Sequence, residues 1–303
     1  HLPSSPPSPV CPGPAMSDTN ATASALSNCS ITAQISTKPN RSHLVTGRTA
    51  LILPCLGRSE KDHTSVGEQF VSVENSMGIV HSSRGSSKPA SGMLRSEPSI
   101  VSGIAGALDT RIGRSGIAWQ DLAEDYDKVR DMIEASIPGF EGYNERVRLD
   151  GGFYLPNPPR DSRTFPTESG YANFRVHDMS GASAGTGRYL MMTIRSHDQY
   201  NTTIYGLDDR YRGINKGRRV VLMNQSDMDD NDWSEGDLVD LTSHFEGTEL
   251  HAREWYIVPY EIPKGNIATY FPEANVLVPL DSVAEGSNTP TSKSVVVTIR
   301  ATD

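Results

Sequence analysis

YLMMTIRSHDQYNTTIYGLDDRYRG, residues 189–213, passes in one step from a core-strand pattern to a dense run of polar side chains. Tyr189 to Arg195 has the apolar content of a buried β-strand, and Ser196, His197, Asp198, Gln199, Tyr200 and Asn201 follow without a break. A polar loop launched from the end of a core strand holds hydrogen-bonding groups rigidly against a ligand. This loop combines a guanidinium, an imidazole, two carboxamides, hydroxyls and a phenol, a set that suits a large polar ligand better than a metal ion or an apolar one. Arg195 has the fork for a phosphate or a carbonyl pair, and Gln199 and Asn201 have the amides to read ring edges.

Outward from this stretch, strands are predicted at 189–195, 218–224, 237–242, 255–261, 275–280 and 294–300, separated by Gly, Asp, Asn and Pro turns. That spacing suits a closed β structure, and no long helix is predicted there. Trp233 to Asp237 supplies a tight turn, with Gly236 free to take the φ values a turn demands. Residues 140–175 are rich in Gly and Pro and read as a connection between domains. Before them, one helix is predicted from Ser96, a good N-cap with Pro98 in the first turn, and a second from Trp119 to Ile137, stopped by Pro138 and Gly139. SVENSMGIVHSSRGSSKP, residues 72–89, reads as an extended loop, and the apolar run ended by Pro54 as a buried strand of an α/β sheet. Residues 1–31 hold few large apolar side chains and are predicted to be disordered.

Several separate segments carry a family resemblance: ALILPCLGRSEKD, VENSMGIVHSSRG, LRSEPSIVSGIA, TESGYANF, RSHDQYNTTIYGLDDRYRGINKG, WSEGDLVDL and YFPEANVLVPLD. From about Thr32 to the C-terminus the chain resembles the C-terminal part of the formate-dehydrogenase-like alpha subunits of the molybdopterin oxidoreductase superfamily. The resemblance implies an incomplete α/β segment over 32–164, then a mainly-β, six-stranded double-psi β-barrel over 165–303 that binds molybdopterin guanine dinucleotide. In that family a Thr-x-Arg strand end, here Thr193, Ile194 and Arg195, precedes the loop that grips the cofactor. The matching positions are Arg195, Ser196, His197, Gln199, Tyr200 and Asn201, with Asn275 in PEANVLVP, placed before the Leu of the last core strand, and Lys293 in TPTSKSVVVTI. The metal, molybdenum or tungsten, its ligating side chain and a [4Fe–4S] cluster are implied only for an N-terminal portion that this chain lacks, which is then its expected partner. The chain alone is expected to be inactive, with no catalytic residue of its own. The alternative is a stand-alone cofactor-binding module without catalysis.

Composition narrows the remaining possibilities. Twenty-eight basic against 37 acidic residues in 303 give a net charge of −9, which argues against a nucleic-acid partner. No window approaches about eighteen uninterrupted apolar residues, so no membrane span is expected. Cys11, Cys29 and Cys55 lack the Cys-x-x-Cys spacing of zinc or iron–sulfur sites, and an odd count argues against a disulfide framework, which fits a reducing, cytoplasmic setting. Arg210, Arg212, Lys216, Arg218 and Arg219 form a basic cluster suited to an anionic dinucleotide, with a solvated edge as the competing explanation. Asp208, Asp209, Asp227, Asp229 and Asp230 read as acidic surface turns rather than a metal site, since their spacing lacks a calcium-loop pattern. Asn224 and Asp227 stand where the resembled family has a polar turn after a strand, and the resemblance implies a contact to guanine there. His197 beside Asp198 reads as a hydrogen-bonding residue rather than a base with its orienting carboxylate, because neighbours on extended chain point apart. Cys55 reads as a buried structural thiol.

Overall fold

A computed structural model describes residues 16–39, 41–113, 115–176, 184–199 and 205–302. These fall into two compact units, one drawn from residues 1–32, 39–51 and 179–303, the other from 33–38 and 52–178.

The first element, α1 (Thr19–Asn28), stands within the segment whose composition predicted disorder. Asp18 caps it by accepting the Ala21 N–H at 3.0 Å. The Asp18 N–H in turn donates to the carbonyls of Asn275 (3.1 Å) and Val278 (2.8 Å), so tertiary anchoring orders a helix that its own apolar content would not. Strands β1 (Ile31–Ser36) and β2 (Thr49–Pro54) pair as a two-stranded sheet. Thr49 donates to Ser30 and Cys55 to Ser36, each at 3.1 Å, so the strands run parallel. β2 is not the buried strand its apolar run predicts: paired only in a two-stranded sheet among the described residues, it leaves all its residues but Leu53 exposed. Cys55, just beyond it, is buried as expected, and burial raises its thiol pKa.

Short hairpins follow: β3 (Asp62–Thr64) with β4 (Gly67–Gln69), and β5 (Val71–Glu74) with β6 (Ile79–Ser83). The second pair corrects the extended loop predicted over 72–89. Its turn is built by Asn75, whose side-chain oxygen accepts the N–H groups of Met77 (2.9 Å) and Ile79 (3.2 Å), a local structure that overrides the Ser-rich composition. The helix α2 (Glu97–Ile112) begins as predicted, with Ser96 accepting the Ser99 N–H at 3.3 Å. The single helix predicted over 119–137 is two, α3 (Trp119–Glu124) and α4 (Tyr126–Ser136). Asp125 breaks it by leaving helical dihedrals and capping α4 through the Asp127 N–H. After α5 (Tyr143–Arg146), β7 (Phe153–Tyr154) joins β6 in a three-stranded sheet, and α6 (Pro158–Ser162) follows. The core of this unit is small: Val80, Tyr143, Val147 and Phe153, with the Tyr143 and Phe153 rings edge-on at 5.7 Å. Residues 164–176 contribute no strand.

The other unit is dominated by a closed barrel. Its strands are β8 (Tyr189–Ile194), β9 (Val220–Met223), then after the short helix α7 (Gln225–Asp229), β10 (Leu238–Phe245), β11 (Thr248–Pro259), β12 (Asn266–Tyr270) and β13 (Val295–Ala301). The order round the barrel is β10-β11-β9-β12-β8-β13, with β11/β9 and β12/β8 parallel and the other described pairs antiparallel. Closure leaves no free edge. Alternation places Tyr189, Met191 and Thr193 inward on β8, and Met191, Val221, Leu241, Ile257 and Val297 are fully buried. Gly236 turns the chain into β10 with φ 89°, as predicted. One predicted strand is corrected: residues 273–277 form a 3-10 turn, and the strand lies instead at Asn266–Tyr270, whose parallel pairing with β8 is long-range and leaves no trace in local periodicity.

Candidate functional site

Because β8 and β12 run parallel and in register, Asn266 beside Leu190 and Tyr270 beside Ile194, both strands end at one rim of the barrel. The Phe271 N–H donates to the Ile194 carbonyl at 2.6 Å and joins the two exits. The polar segment 195–199 and the segment 271–277 leave this rim side by side.

Arg218, buried just before β9, ties the two segments together. Its Nη1 donates to Ser196 Oγ (2.7 Å), its Nη2 to Gln199 Oε1 (3.0 Å) and the Phe271 carbonyl (2.8 Å), and its Nε to Glu273 Oε1 (2.8 Å). The guanidinium also lies 3.9 Å from the Tyr205 ring centroid and 4.8 Å from that of Tyr270. Gln199 reinforces the same joint, accepting the Ser196 N–H at 3.2 Å and donating to the Phe271 carbonyl at 3.1 Å. A planar fork with all three nitrogens engaged and aromatic rings against it is a rigid part.

Asp209 forms a second centre. One carboxylate oxygen, Oδ2, accepts from Arg212 Nη1 (2.6 Å), the Tyr270 hydroxyl (2.8 Å) and the His197 N–H (3.2 Å). Burial pushes the Asp209 carboxyl up, but these donors and the Arg212 charge together hold it below its ordinary value. Burial and the Asp209 acceptor both push the Tyr270 phenol upward. Asp209 read from sequence as a surface turn, whereas it is 2% exposed, and Arg218, read as part of a basic cluster for an anionic dinucleotide or a solvated edge, is buried among protein partners.

The predicted contact residues divide. Arg195 and His197 are exposed, and the His197 ring stacks on Tyr211 with centroids 3.7 Å apart, while Asp198 pairs with Arg210 at 3.6 Å. Ser196 is buried, and the Ser196 and Gln199 side chains point to Arg218. Lys293, from the loop before β13, donates to the Thr193 carbonyl and so reaches the same strand end as Arg195. Burial, then the charge of Arg195, lowers the Lys293 pKa. Asn275 is buried in the 3-10 turn rather than on a core strand, and its carbonyl accepts from Val278 and Asp18 at 3.1 Å each. Tyr200 and Asn201 lie outside the described residues. Asn224 caps α7, and Asp227 accepts the Gly265 N–H at 2.7 Å, which gives both a structural role. Among the described residues no group of three or more His, Cys, Asp or Glu gathers to hold a metal, and no helix is long and apolar enough to cross a membrane.

Among the described residues, three buried polar atoms around this rim have no hydrogen-bond partner: Asp209 Oδ1, Arg212 Nε and Glu273 Oε2. Unmatched donors and acceptors concentrated in one place mark a site that a polar ligand or ordered water completes.

Residues 189–296 match the model of the molydopterin dinucleotide binding domain. The chain is 49% identical over 291 residues to a protein of Mycobacterium tuberculosis (strain ATCC 25618 / H37Rv) named an uncharacterized oxidoreductase, covering 94% of this chain and 37% of that protein. It is 43% identical over 291 residues to the protein YdeP of Escherichia coli (strain K12), covering 93% of this chain and 38% of YdeP. The chain therefore spans well under half the length of these curated relatives. Among solved structures, acetylene hydratase from Pelobacter acetylenicus shares the fold with a TM-score of 0.51 at 11% identity, over 95% of this chain and 42% of that one. The six-stranded closed barrel thus coincides with the match to the molydopterin dinucleotide binding domain and is preceded by a partial α/β region, in a chain similar over most of its length to a protein named as an oxidoreductase.

Proposed function

We propose that the rim bearing Arg195, His197 and Lys293 holds molybdopterin guanine dinucleotide, and that the chain is the C-terminal portion of a formate-dehydrogenase-like oxidoreductase. The observation that carries this reading is the meeting of two cations at the end of β8. Lys293 donates to Thr193, Arg195 follows two residues later, and neither has a carboxylate partner among the described residues. A phosphate there offsets the burial and the Arg195 charge that together depress Lys293, and gives Arg195 an anionic partner. The unmatched polar atoms at the rim fit a ligand rich in donors and acceptors.

Arg195 and Lys293 would hold phosphate oxygens, and His197 would hydrogen-bond or stack against the ring system. Tyr200 and Asn201 belong to the same proposed set, while Ser196, Gln199 and Asn275 contribute from behind as the frame. When bound, the molybdenum or tungsten centre supplies the redox chemistry, and the protein supplies binding, orientation and exclusion of water. The metal ligand and a [4Fe–4S] cluster would come from an N-terminal portion, the partner of this chain, so the chain alone is inactive. The free thiols Cys29 and Cys55 support a cytoplasmic setting.

The test is titration of the full chain with guanosine 5′-diphosphate, the nucleotide half of the ligand, by calorimetry. Arg195→Ala and Lys293→Ala should each weaken binding about tenfold, the worth of one charge-assisted contact. Affinity should also fall on the alkaline side from below the usual lysine range, as Lys293 loses its proton. A wild-type chain that ignores the nucleotide, or variants that bind it equally well, would reject the assignment.

A further inference from the structure

We propose that Arg218 is the positioning residue of the cofactor loop: it fixes 195–199 against 271–273, so that Ser196 and Gln199 act through it and not by touching ligand. The inference rests on the cofactor reading only for what the loop is held ready to bind; the holding itself is visible without ligand. All three guanidinium nitrogens donate inside the protein. Nη1 gives one N–H to Ser196, Nη2 is shared by Gln199 and Phe271, and Nε meets Glu273, so four of the five N–H groups are accounted for. Arg218 is 5% exposed and covered by the Tyr205 and Tyr270 rings, so it is not one of the cations offered to a phosphate, despite its place in the basic cluster.

The consequence for Ser196 and Gln199 is specific. The Gln199 carbonyl oxygen takes both the Arg218 Nη2 donor and the Ser196 N–H, while the Gln199 N–H donates back to the Ser196 carbonyl at 3.1 Å. The loop is therefore closed on itself with Arg218 as its centre, and the outward groups are Arg195 and His197. The His197 N–H has a different anchor, Asp209 Oδ2.

Hydrogen–deuterium exchange on the ligand-free full chain tests the holding, with nucleotide titration beside it. In Arg218→Lys, which keeps charge but loses the fork, the Ser196 and Gln199 amides should exchange at least about tenfold faster, while strand amides of β8 and β12 are unchanged. The His197 amide, held by Asp209, should change least of the three. Unchanged Ser196 and Gln199 amides overturn the proposal, as does general acceleration across the barrel, which would mark a merely structural arginine. A double-mutant cycle with guanosine 5′-diphosphate separates positioning from contact. Ser196→Ala with Gln199→Ala should weaken binding about tenfold in the wild type and less than about twofold on Arg218→Lys. Equal losses in both backgrounds would make the two residues direct contacts and reject their assignment to Arg218. If the wild type does not bind the nucleotide, the cofactor reading fails, and the exchange result still decides the role of Arg218.

Discussion

On Asp209 a single carboxylate oxygen serves an arginine, a phenol and a backbone N–H, and the residue is buried. Its folded pKa lies below the ordinary value, so its stabilisation is present above the unfolded pKa of about 3.9 and is lost as pH falls through the folded one. Asp209→Asn keeps the shape and removes the charge. The expected loss near neutral pH is about 2 kcal/mol, that of a hydrogen bond to a charged group, read by denaturant unfolding. The two proteins should converge in acid; a constant gap down to the lowest pH would show that the charge is not what holds the cluster. The sequence made the polarity of this site legible but not its wiring. Ser196 and Gln199 were visible as hydrogen-bonding groups, yet their partner is Arg218, which bonds Glu273 as well. Asp209 resembles any turn acid until Tyr270, far along the chain, closes over it.

At the scale of elements, period-two runs found five of the six barrel strands. β12 escaped because its five residues follow Gly265, and β13, β8 and β9 gain their neighbours by pairings that span much of the domain. β11 is longer than its apolar half suggests, since its polar arm pairs with β10 in a hairpin. In that hairpin the register slips between Val239 and Leu241, and Glu254 takes φ 61° with its N–H donating to Asp240 Oδ1 at 2.9 Å. This is a β-bulge that places a non-glycine residue in the left-handed region. Glu254→Gly relieves that strain, partly offset by the greater freedom of glycine in the unfolded chain, and should stabilise the protein by about 0.5–1 kcal/mol in chemical denaturation. The Arg219 pair at 3.9 Å is too exposed to reverse the sign. A destabilised variant would mean that the Glu254 side chain does more than tolerate the bulge.

At the scale of the whole molecule, the barrel carries a closed core while the α/β region leaves one surface uncovered. Helix α2 buries no residue, and Val101, Ile104, Leu108 and Ile112, spaced along one stripe, are 49% to 76% exposed. The other side of the helix is engaged: Trp119 Nε1 donates to Asp109 at 3.1 Å, and a Cβ added at Gly106 would lie 3.8 Å from the Trp119 Cβ. An exposed apolar stripe of this kind on a helix marks an interaction surface. We propose that its occupant is the part of the protein that the longer relatives have and this chain does not match. Each such side chain gains roughly 1.5–3 kcal/mol on full burial, so the chain by itself should associate through this face as concentration rises. Val101→Glu, Ile104→Lys and Leu108→Glu together put charge on the stripe at residues that are about half exposed, and Lys and Glu are good helix formers. Light scattering after size exclusion should show the wild type growing heavier with concentration and the triple variant staying a monomer of unchanged helicity. A wild type that is monomeric throughout and melts cooperatively, or a variant that associates just as strongly, would remove the stripe as a docking face.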